Sequence, residues 1–483
     1  MAEVFVAIRK GLLFGLIIFS IIMLFYSSYQ LWQEYQCFPV STETRFDKEV
    51  NKSKVFPDII FCNHGVARSL KKYHSDSIPN YERIWKELTS GNLSTSFDKR
   101  TINEILWKNS RINYYSADDI KEVGFKKEDF IIDCIILDYK EIDSARYVDC
   151  YKYFQDYISN DYGMCQKLVL PDDLKELAGT FHAAVSGVRI NLFVKPQDSK
   201  SPITSLSGAR ITLDDANYPV IPQTDGIDVG AGNEISIKFK RIFSKREKQG
   251  SSKCISPSSD ALLEGYKYSS NAFTCDQMCS CHHMKLTCNC ITMHFFGNHS
   301  ICDFKHNSVH RDCLNDNKDE IEKRVIECMK IHCRIYCEHE MYTHQSTQIQ
   351  FPSDNFLPVY VAGLLSRSEL QNSTIIKSIK NTLSRKNLSV EDHYELIRKN
   401  FIHVHVYRDS QYTETIVENL IYTKWSLLSK IGGNMVVGLE PETGRSVDRV
   451  GSIFLLYSVN KPRPSERTFI EIERVYFSLM IRS

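Results

Sequence analysis

Residues 11–32 read GLLFGLIIFSIIMLFYSSYQLW, a run without one charged side chain. A helix that crosses a bilayer needs about 20 apolar residues. This run reaches that length if its aromatic end lies at the membrane interface, where Tyr26, Tyr29 and Trp32 would form an aromatic belt. The run therefore predicts a membrane-spanning helix and makes the rest of the chain part of a membrane protein.

The charges that flank this run predict its orientation. Arg9 and Lys10 precede it and Glu34 follows it, so the positive-inside rule predicts a short cytoplasmic N-terminus, residues 1–10, with the bulk of the chain outside. A signal peptide cleaved near Ser27 is the alternative, although no A-x-A pattern is present. Both interpretations export the chain, and we expect it at the plasma membrane.

Export of the chain affects the expected chemistry of its cysteines. The chain has 16 of them, and most fall between Cys254 and Cys337. Such a cluster indicates zinc in the cytosol and disulfides outside the cell, so export favours disulfides. N-x-S/T sequons, which are glycosylation sites in an exported protein, occur at Asn51, Asn92, Asn298, Asn372 and Asn387.

Composition limits the class of protein. Of the 483 residues, 42% are apolar and 25% are charged, which supports a folded core and argues against general disorder. The formal net charge of +1 excludes a globally basic protein, and we expect no nucleic-acid partner. Alternating apolar residues predict strands in 185–243 and 401–406, and helical spacing predicts a helix over 317–332. The fold class expected is α+β.

Several motifs recur in a fixed order after the apolar run. They are FPDIIFCN (56–63), YGMC (162–165), Cys275-x3-Cys279, TCNC (287–290), CRIYCEHEMY (333–342), FPS (351–353) and YTKWSLLSKIGGNM (422–435). Together the motifs resemble the degenerin/epithelial sodium channel family, which includes the acid-sensing channels. The resemblance covers about residues 10–439.

The resemblance implies a trimer in which each subunit has two membrane helices around a large disulfide-rich extracellular domain. The strands at 55–62 and 401–408 would belong to the palm. The implied regions are a transmembrane helix at 11–32, an extracellular domain at 33–418 with finger (about 70–165), β-ball (about 185–243), thumb (about 255–345) and knuckle (about 365–395), the start of a second membrane helix at 419–439, and a divergent tail at 440–483.

The resemblance also implies a set of disulfides that would stiffen the thumb. The implied pairs are Cys62–Cys165, Cys134–Cys150, Cys254–Cys337, Cys275–Cys333, Cys279–Cys328, Cys288–Cys313 and Cys290–Cys302. Cys37 and Cys281 are left over, so they are free thiols, paired with each other or bonded to another molecule.

Functional positions carry over from the same motifs. The resemblance implies pore-entrance and gating roles for Ser429, Lys430, Gly432 and Gly433. It implies that Tyr342 and Trp425 couple the thumb to the membrane helices. The alternative for both aromatic residues is ordinary packing.

The membrane-side ends depart from the family pattern. The small-residue selectivity filter is expected near Glu440-Pro441-Glu442, and none of these residues fits it. No apolar run of about 20 residues follows in 440–483, and no His-Gly gating motif precedes the first helix. A mistaken gene model or alternative transcript explains both departures, and a genuine single-pass or secreted relative is the other explanation.

The sequence thus predicts a subunit of a homo- or heterotrimeric amiloride-sensitive-type sodium channel in the lipid bilayer, with Na⁺ as permeant ion. Its gating would be by ligand, protons or force, and as written it would not conduct alone. The alternative is a pore-less single-pass or secreted cysteine-rich binding or regulatory protein. We expect neither an enzyme nor a cofactor, because His282-His283 and His403-x-His405 lack an accompanying acidic ligand pattern and no Walker, Rossmann or zincin motif is present.

Overall fold

The helix α1 (Ala2–Gln36) begins the chain in the computed structural model. The model describes residues 2–48, 56–65, 120–122, 124–138, 146–159, 161–180, 186–194, 207–214, 220–248, 254, 262–263, 266–267, 272–291, 302, 308–333, 335–367, 370, 373–384, 389–410 and 412–438. These residues form parts of two units. One unit is Met1–Pro39 with Tyr422–Ser483, and the other is Val40–Ile421.

The first unit contains two described helices, α1 and α11 (Lys424–Gly438). Within the described residues, the segment Lys10–Gln36 of α1 is the one helix long and apolar enough to cross a membrane. Its large apolar side chains are exposed, among them Phe14 and Phe25, as expected for a surface in contact with lipid. The predicted span at 11–32 lies inside this segment.

The second unit contains all the strands that the structure describes. They are β1 (Val40–Lys48), β2 (Asp58–Asn63), β3 (Ile131–Asp138), β4 (Arg146–Asp149), β5 (Phe154–Ser159), β6 (Gly163–Leu168), β7 (Val188–Phe193), β8 (Gly208–Asp214), β9 (Ile227–Gly230), β10 (Asn233–Lys245), β11 (Leu262–Leu263), β12 (Tyr266–Lys267), β13 (Glu338–Gln350), β14 (Phe401–Arg408) and β15 (Tyr412–Leu420).

Its helices lie between the strands in sequence. They are α2 (Lys127–Phe130), α3 (Asp172–Thr180), α4 (Pro222–Asp225), α5 (Ala272–Cys288), α6 (Ser308–Asp316), α7 (Lys318–His332), α8 (Leu357–Ser366), α9 (Thr374–Leu383) and α10 (Val390–Arg398). A 3₁₀ turn, Tyr151–Tyr153, precedes β5. The predicted helix at 317–332 corresponds to α7, which buries Ile321 and Val325.

The larger sheet has the order β1-β15-β10-β14-β7-β3-β4, with β13 also paired to β10. The strand β10 has three partners in this sheet. β13 pairs with it in antiparallel orientation along its whole length. β14 pairs in parallel with the first part of β10, and β15 pairs in parallel with the last part. Ile235, Ile237 and Phe239 of β10 are fully buried. They follow each other at every second position, which is the period of a strand with one face on the core.

A second sheet has the antiparallel order β5-β6-β2-β8-β9. β2 lies at its centre, and every residue of β2 is buried. Ile59 and Phe61 point into a core shared with the larger sheet, whereas Ile60 and Cys62 pack on the opposite face beside Cys165. Burial on both faces explains why this strand lacks polar alternation.

The strand pairing divides two of the regions that the resemblance implies between the two sheets, and the assignment of those regions stays a prediction. The resemblance implies that the strands at 55–62 and 401–408 both belong to the palm, but β2 and β14 lie in different sheets. The β-rich segment 185–243 is likewise divided, because β7 and β10 join the larger sheet and β8 and β9 join the smaller one. The sheet that a strand joins depends on which other strands have an unpaired edge beside it, and the local sequence of the strand does not contain this information.

Capping side chains fix the ends of the outer helices. Ser373 accepts a hydrogen bond from the N–H of Ile376 at the start of α9. Ser389 and Asp392 form a capping box at the start of α10. With α8, these helices enclose a separate apolar cluster that includes Phe193 and Phe401.

The structure confirms the mixed α/β class with one N-terminal apolar helix and many disulfides. Most of the expected finger, from 70 to 119, lies outside the described residues.

Candidate functional site

The helix α11 begins where Thr423 and Ser426 cap each other. The N–H of Thr423 donates to Oγ of Ser426 (2.8 Å), and the N–H of Ser426 donates to Oγ1 of Thr423 (3.1 Å). A helix start leaves backbone N–H groups without intrahelical partners, and this reciprocal capping box satisfies two donors there. The motif at 422–435 thus contains its own start signal, with Tyr422 just outside the helix.

All four predicted pore-entrance residues lie in α11, and three of them are described as exposed. Ser429, Lys430 and Gly432 are exposed, and a Cβ added to Gly432 would meet no atom within 4 Å. Gly433 follows in the same helix. Leu427 is the buried counterpart, with 5% of its surface exposed. The helix therefore presents small and cationic groups on its accessible side.

Tyr422 connects the two helices of this unit. Its hydroxyl donates to Oε2 of Glu34 near the end of α1, at 2.9 Å. Nζ of Lys430 lies 4.3 Å from the centroid of the Tyr422 ring, a distance at which the negative ring face attracts a cation. One phenol ring therefore contacts an anion through its hydroxyl and a cation through its face.

The two predicted coupling residues have different surroundings. Tyr342 on β13 packs edge to face against Phe239 of β10, with ring centroids 5.9 Å apart. Phe239 in turn packs against Phe56 at 5.3 Å. Trp425 on α11 has 81% of its surface exposed. Tyr342 fits the packing alternative, and the coupling role of both residues stays a prediction.

The structure forms seven disulfides, and they are the pairs that the resemblance implies. They are Cys62–Cys165, Cys134–Cys150, Cys254–Cys337, Cys275–Cys333, Cys279–Cys328, Cys288–Cys313 and Cys290–Cys302. The remaining two cysteines lie outside these bonds: Cys37 is exposed and Cys281 is buried.

Two of these bonds form a ladder between helices α5 and α7. Cys275 and Cys279 are four residues apart, so they share one face of α5. They bond Cys333 at the end of α7 and Cys328 inside it. Each bond restricts the unfolded chain and contributes about 2–4 kcal/mol. The ladder supplies stiffness to a helix pair whose small apolar core includes these cysteines beside Ile321 and Val325.

Metal binding finds little support in the described residues. There, the group with metal-ligand spacing is formed by the sulfurs of Cys275, Cys279 and Cys333, which are already in disulfides. His403 and His405 are engaged individually: Nδ1 of His403 lies 2.7 Å from Oδ1 of Asn191, and Nε2 of His405 lies 2.7 Å from the carbonyl oxygen of Ser186. The rings of His282 and His283 pack against each other at 5.2 Å.

Other predicted positions lie outside the described residues. These are all five sequons, at Asn51, Asn92, Asn298, Asn372 and Asn387, and the whole tail at 440–483. Their roles stay predictions.

Sequence reasoning missed a polar cluster at the end of β2. Nε2 of His64 lies 3.0 Å from Oδ1 of Asp228, whose Oδ2 pairs with Nη1 of Arg210 at 2.7 Å. The ring of Tyr162 packs edge to face on His64 at 5.5 Å. Burial lowers the pKa of His64 and raises the pKa of Tyr162 to about 12. No sequence motif predicts this cluster, because its residues are far apart in sequence. Arg210 comes to lie opposite Asp228 only when β8 pairs with β9.

Comparison with known proteins points to one family. The family model described as amiloride-sensitive sodium channel matches residues 6–438. A curated relative from Caenorhabditis elegans, degenerin-like protein asic-2, is 21% identical over 452 aligned residues, which cover 87% of this chain and 76% of the relative. A solved structure of a proton-activated chloride channel aligns with 89% of this chain and 93% of its own at 6% identity, but its TM-score of 0.30 is too low to establish a shared fold.

Proposed function

The chain belongs to the amiloride-sensitive sodium channel family and is a cation-channel subunit, and we propose that three such subunits, identical or related, surround one pore that passes Na⁺. The observation that carries this proposal is the segment 422–438. It falls inside the family match, begins with its own capping box and is linked to α1 through Tyr422 and Glu34. A binding protein without a channel role has no evident use for such a segment.

The protein is a membrane protein with a large extracellular region. Seven disulfides in the unit Val40–Ile421 require an oxidising compartment. We propose that residues 1–10 are cytoplasmic, since Arg9 and Lys10 precede the span and the positive-inside rule assigns them to the inner side. The extracellular unit would then be the part that receives the gating stimulus, whether ligand, protons or force.

The proposed pore entrance lies along α11. Ser429 is small, which would allow the pore to close, and Gly432 and Gly433 would let neighbouring helices approach closely. Lys430 would place a positive charge near the entrance, where it opposes cation entry. Nζ of Lys430 lies over the Tyr422 ring, so the negative face of the ring attracts the ammonium group and restrains its position.

We propose that this chain does not conduct ions by itself. By position, the small-residue filter that the family resemblance implies would fall near Glu440, Pro441 and Glu442, and none of these residues fits it. We propose that a chain with this sequence joins related subunits and modifies or silences their current. The alternative, a pore-less single-pass or secreted regulatory protein, differs in that it would not enter a channel complex.

Expression in oocytes separates these possibilities. The chain would be expressed alone and together with the degenerin-like relative, with surface biotinylation as the control for delivery and co-purification as the control for assembly. We expect no amiloride-sensitive Na⁺ current from the chain alone, and a changed amplitude or cation selectivity in the mixture. If the chain reaches the surface, fails to co-purify and leaves the relative's current unchanged, the pore-less alternative replaces the channel proposal.

A further inference from the structure

A cavity of about 540 Å³ lies in the extracellular unit, and Met164 of the YGMC motif is among the residues that line it. Binding sites for small molecules typically measure about 300–1,000 Å³. The lining consists of Lys121, Lys126, Lys127, Glu128, Phe154, Asp156, Met164 and Gln166. No described histidine or cysteine lines it, so this cavity differs in chemistry from the clusters above.

The floor of the cavity is one face of the antiparallel pair β5 and β6. Asp156 pairs directly with Gln166, and Phe154 and Met164 stand two positions away on their own strands. Side chains at every second position share a face, and directly paired residues share it too. Phe154 and Met164 are buried, as is Gln166. The floor is therefore apolar at its edges, with one carboxylate and one amide between them.

The wall is the segment that leads into β3. The N–H of Gly124 donates to the carbonyl of Ile120 at 2.8 Å. A Cβ added to Gly124 would lie 2.3 Å from Cβ of Met164, so only glycine lets this segment lie directly on the floor. The close approach places the segment that carries the three lining lysines beside the floor.

Positive charge exceeds negative charge in this lining, with three ammonium groups against two carboxylates. In the part of the chain that the structure describes, neither Lys121 nor Lys126 forms an ion pair. Nζ of Lys127 lies 4.7 Å from the ring centroid of Tyr151. Asp156 already accepts a hydrogen bond from Nε2 of Gln166 at 3.0 Å. The lysines are thus the groups left to neutralise a ligand, and the apolar floor suits a carbon skeleton.

We propose that this cavity binds a small organic anion, a short-chain di- or monocarboxylate, with its carboxylates on the lysines and its carbon chain over Phe154 and Met164. The proposal names a ligand class for the extracellular gating stimulus. It rests on the proposed channel function only for the effect of the ligand on current. The binding itself stands independently of that function.

Titration calorimetry on the purified full chain in lipid nanodiscs tests the binding. Succinate would be the probe, succinamide the uncharged probe of the same length, and sulfate the anion without a carbon skeleton. We expect saturable binding of succinate and none of succinamide. Binding of sulfate as strong as that of succinate would overturn the assignment to an organic anion, and no binding of succinate would overturn the site.

Variants locate the site. Replacing all three lysines with glutamine (K121Q, K126Q and K127Q) should weaken succinate binding by more than about tenfold, and each single change by about threefold, because these ammonium groups are partly screened by water. Lys152→Gln is the matched control: this exposed lysine lies over the Tyr153 ring and does not line the cavity. Equal loss in the control, or no loss in the triple variant, would overturn the location.

Asp156→Asn gives a change of opposite sign. It removes a carboxylate that repels the ligand but keeps an acceptor for Gln166, so succinate binding should tighten about threefold. Weaker binding in this variant would contradict the proposed charge pattern. Calorimetry measures binding and the oocyte current measures gating: binding without any current effect in the oocyte mixture would leave the site intact while counting against this ligand as the gating stimulus.

Discussion

The hydroxyl of Tyr422 donates to Oε2 of Glu34 at 2.9 Å, although the two residues are 388 positions apart in sequence. This bond joins the C-terminal end of α1 to the start of α11. The same tyrosine ring lies under Nζ of Lys430. Removal of the whole Tyr422 side chain would therefore change both the contact between the helices and the surroundings of the Lys430 ammonium group.

A double-mutant cycle of Tyr422→Phe and Glu34→Gln should reveal this bond. We expect a coupling free energy of about 0.5–1 kcal/mol, since the pair is exposed and each partner can turn to water instead. Thermal unfolding of the full chain in nanodiscs is the measurement. Tyr29→Phe is the control, because the Tyr29 hydroxyl accepts a hydrogen bond from Gln33 within α1 alone. Equal coupling of Glu34 to Tyr29 would refute the specific link.

The charge at Lys430 should limit cation entry in channels that contain this chain. Lys430→Glu should raise the inward Na⁺ current by about twofold, because a charge reversal near the entrance changes the local cation concentration by a modest factor in water. Lys430→Arg should leave it near the original value. Lys424→Glu, an exposed position at the start of the same helix, is the control. An equal effect of both glutamate variants would show that only net charge matters.

The disulfides should differ in what they contribute to stability. Cys62 and Cys165 are 103 residues apart, whereas Cys290 and Cys302 are 12 apart. In the loop-entropy account, losing the first bond costs about 5 kcal/mol and losing the second about 3 kcal/mol. Denaturant unfolding of the two paired serine variants measures the order, with Cys281→Ser as the variant that removes no disulfide. The reverse order would show that native packing outweighs loop length.

His403 should make the stability of the extracellular unit depend on pH. Burial, with a smaller contribution from Arg189, lowers its pKa to about 4. The unfolded chain, with an ordinary histidine pKa, binds the proton first as the pH falls. Between pH 6.5 and about 4 the unfolded state therefore holds more protons, and the free energy of unfolding should decrease by about 3 kcal/mol on acidification.

The variant His403→Asn tests this pH dependence. It should flatten the fall in unfolding free energy between pH 6.5 and 4, measured by denaturant titration at several pH values. His393→Asn, on the outer helix α10, is the comparison. A slope that survives in the His403 variant would assign the dependence to other groups, of which His64 and His405 also have a pKa lowered by burial.

Part of the candidate site was predictable because its signals are local. The start of α11 depends on a hydroxyl pair three residues apart, and the apolar face of α7 repeats every three to four residues. The disulfide pairs were implied by a resemblance in cysteine motifs, which fixes partners only through a known fold. The cavity and the His64 cluster gave no such signal, since each combines residues from separate strands.

The sequence by itself determined that the chain has a membrane helix, is exported and carries disulfides, because hydropathy, flanking charge and cysteine content act along one stretch of chain. The tertiary structure alone decided which sheet each strand joins. β2 is apolar on both faces, and local propensity fits either sheet equally well. β6 and β8 pair with its two edges. Both strands lie far from β2 in sequence, so local sequence does not determine which strands become its neighbours.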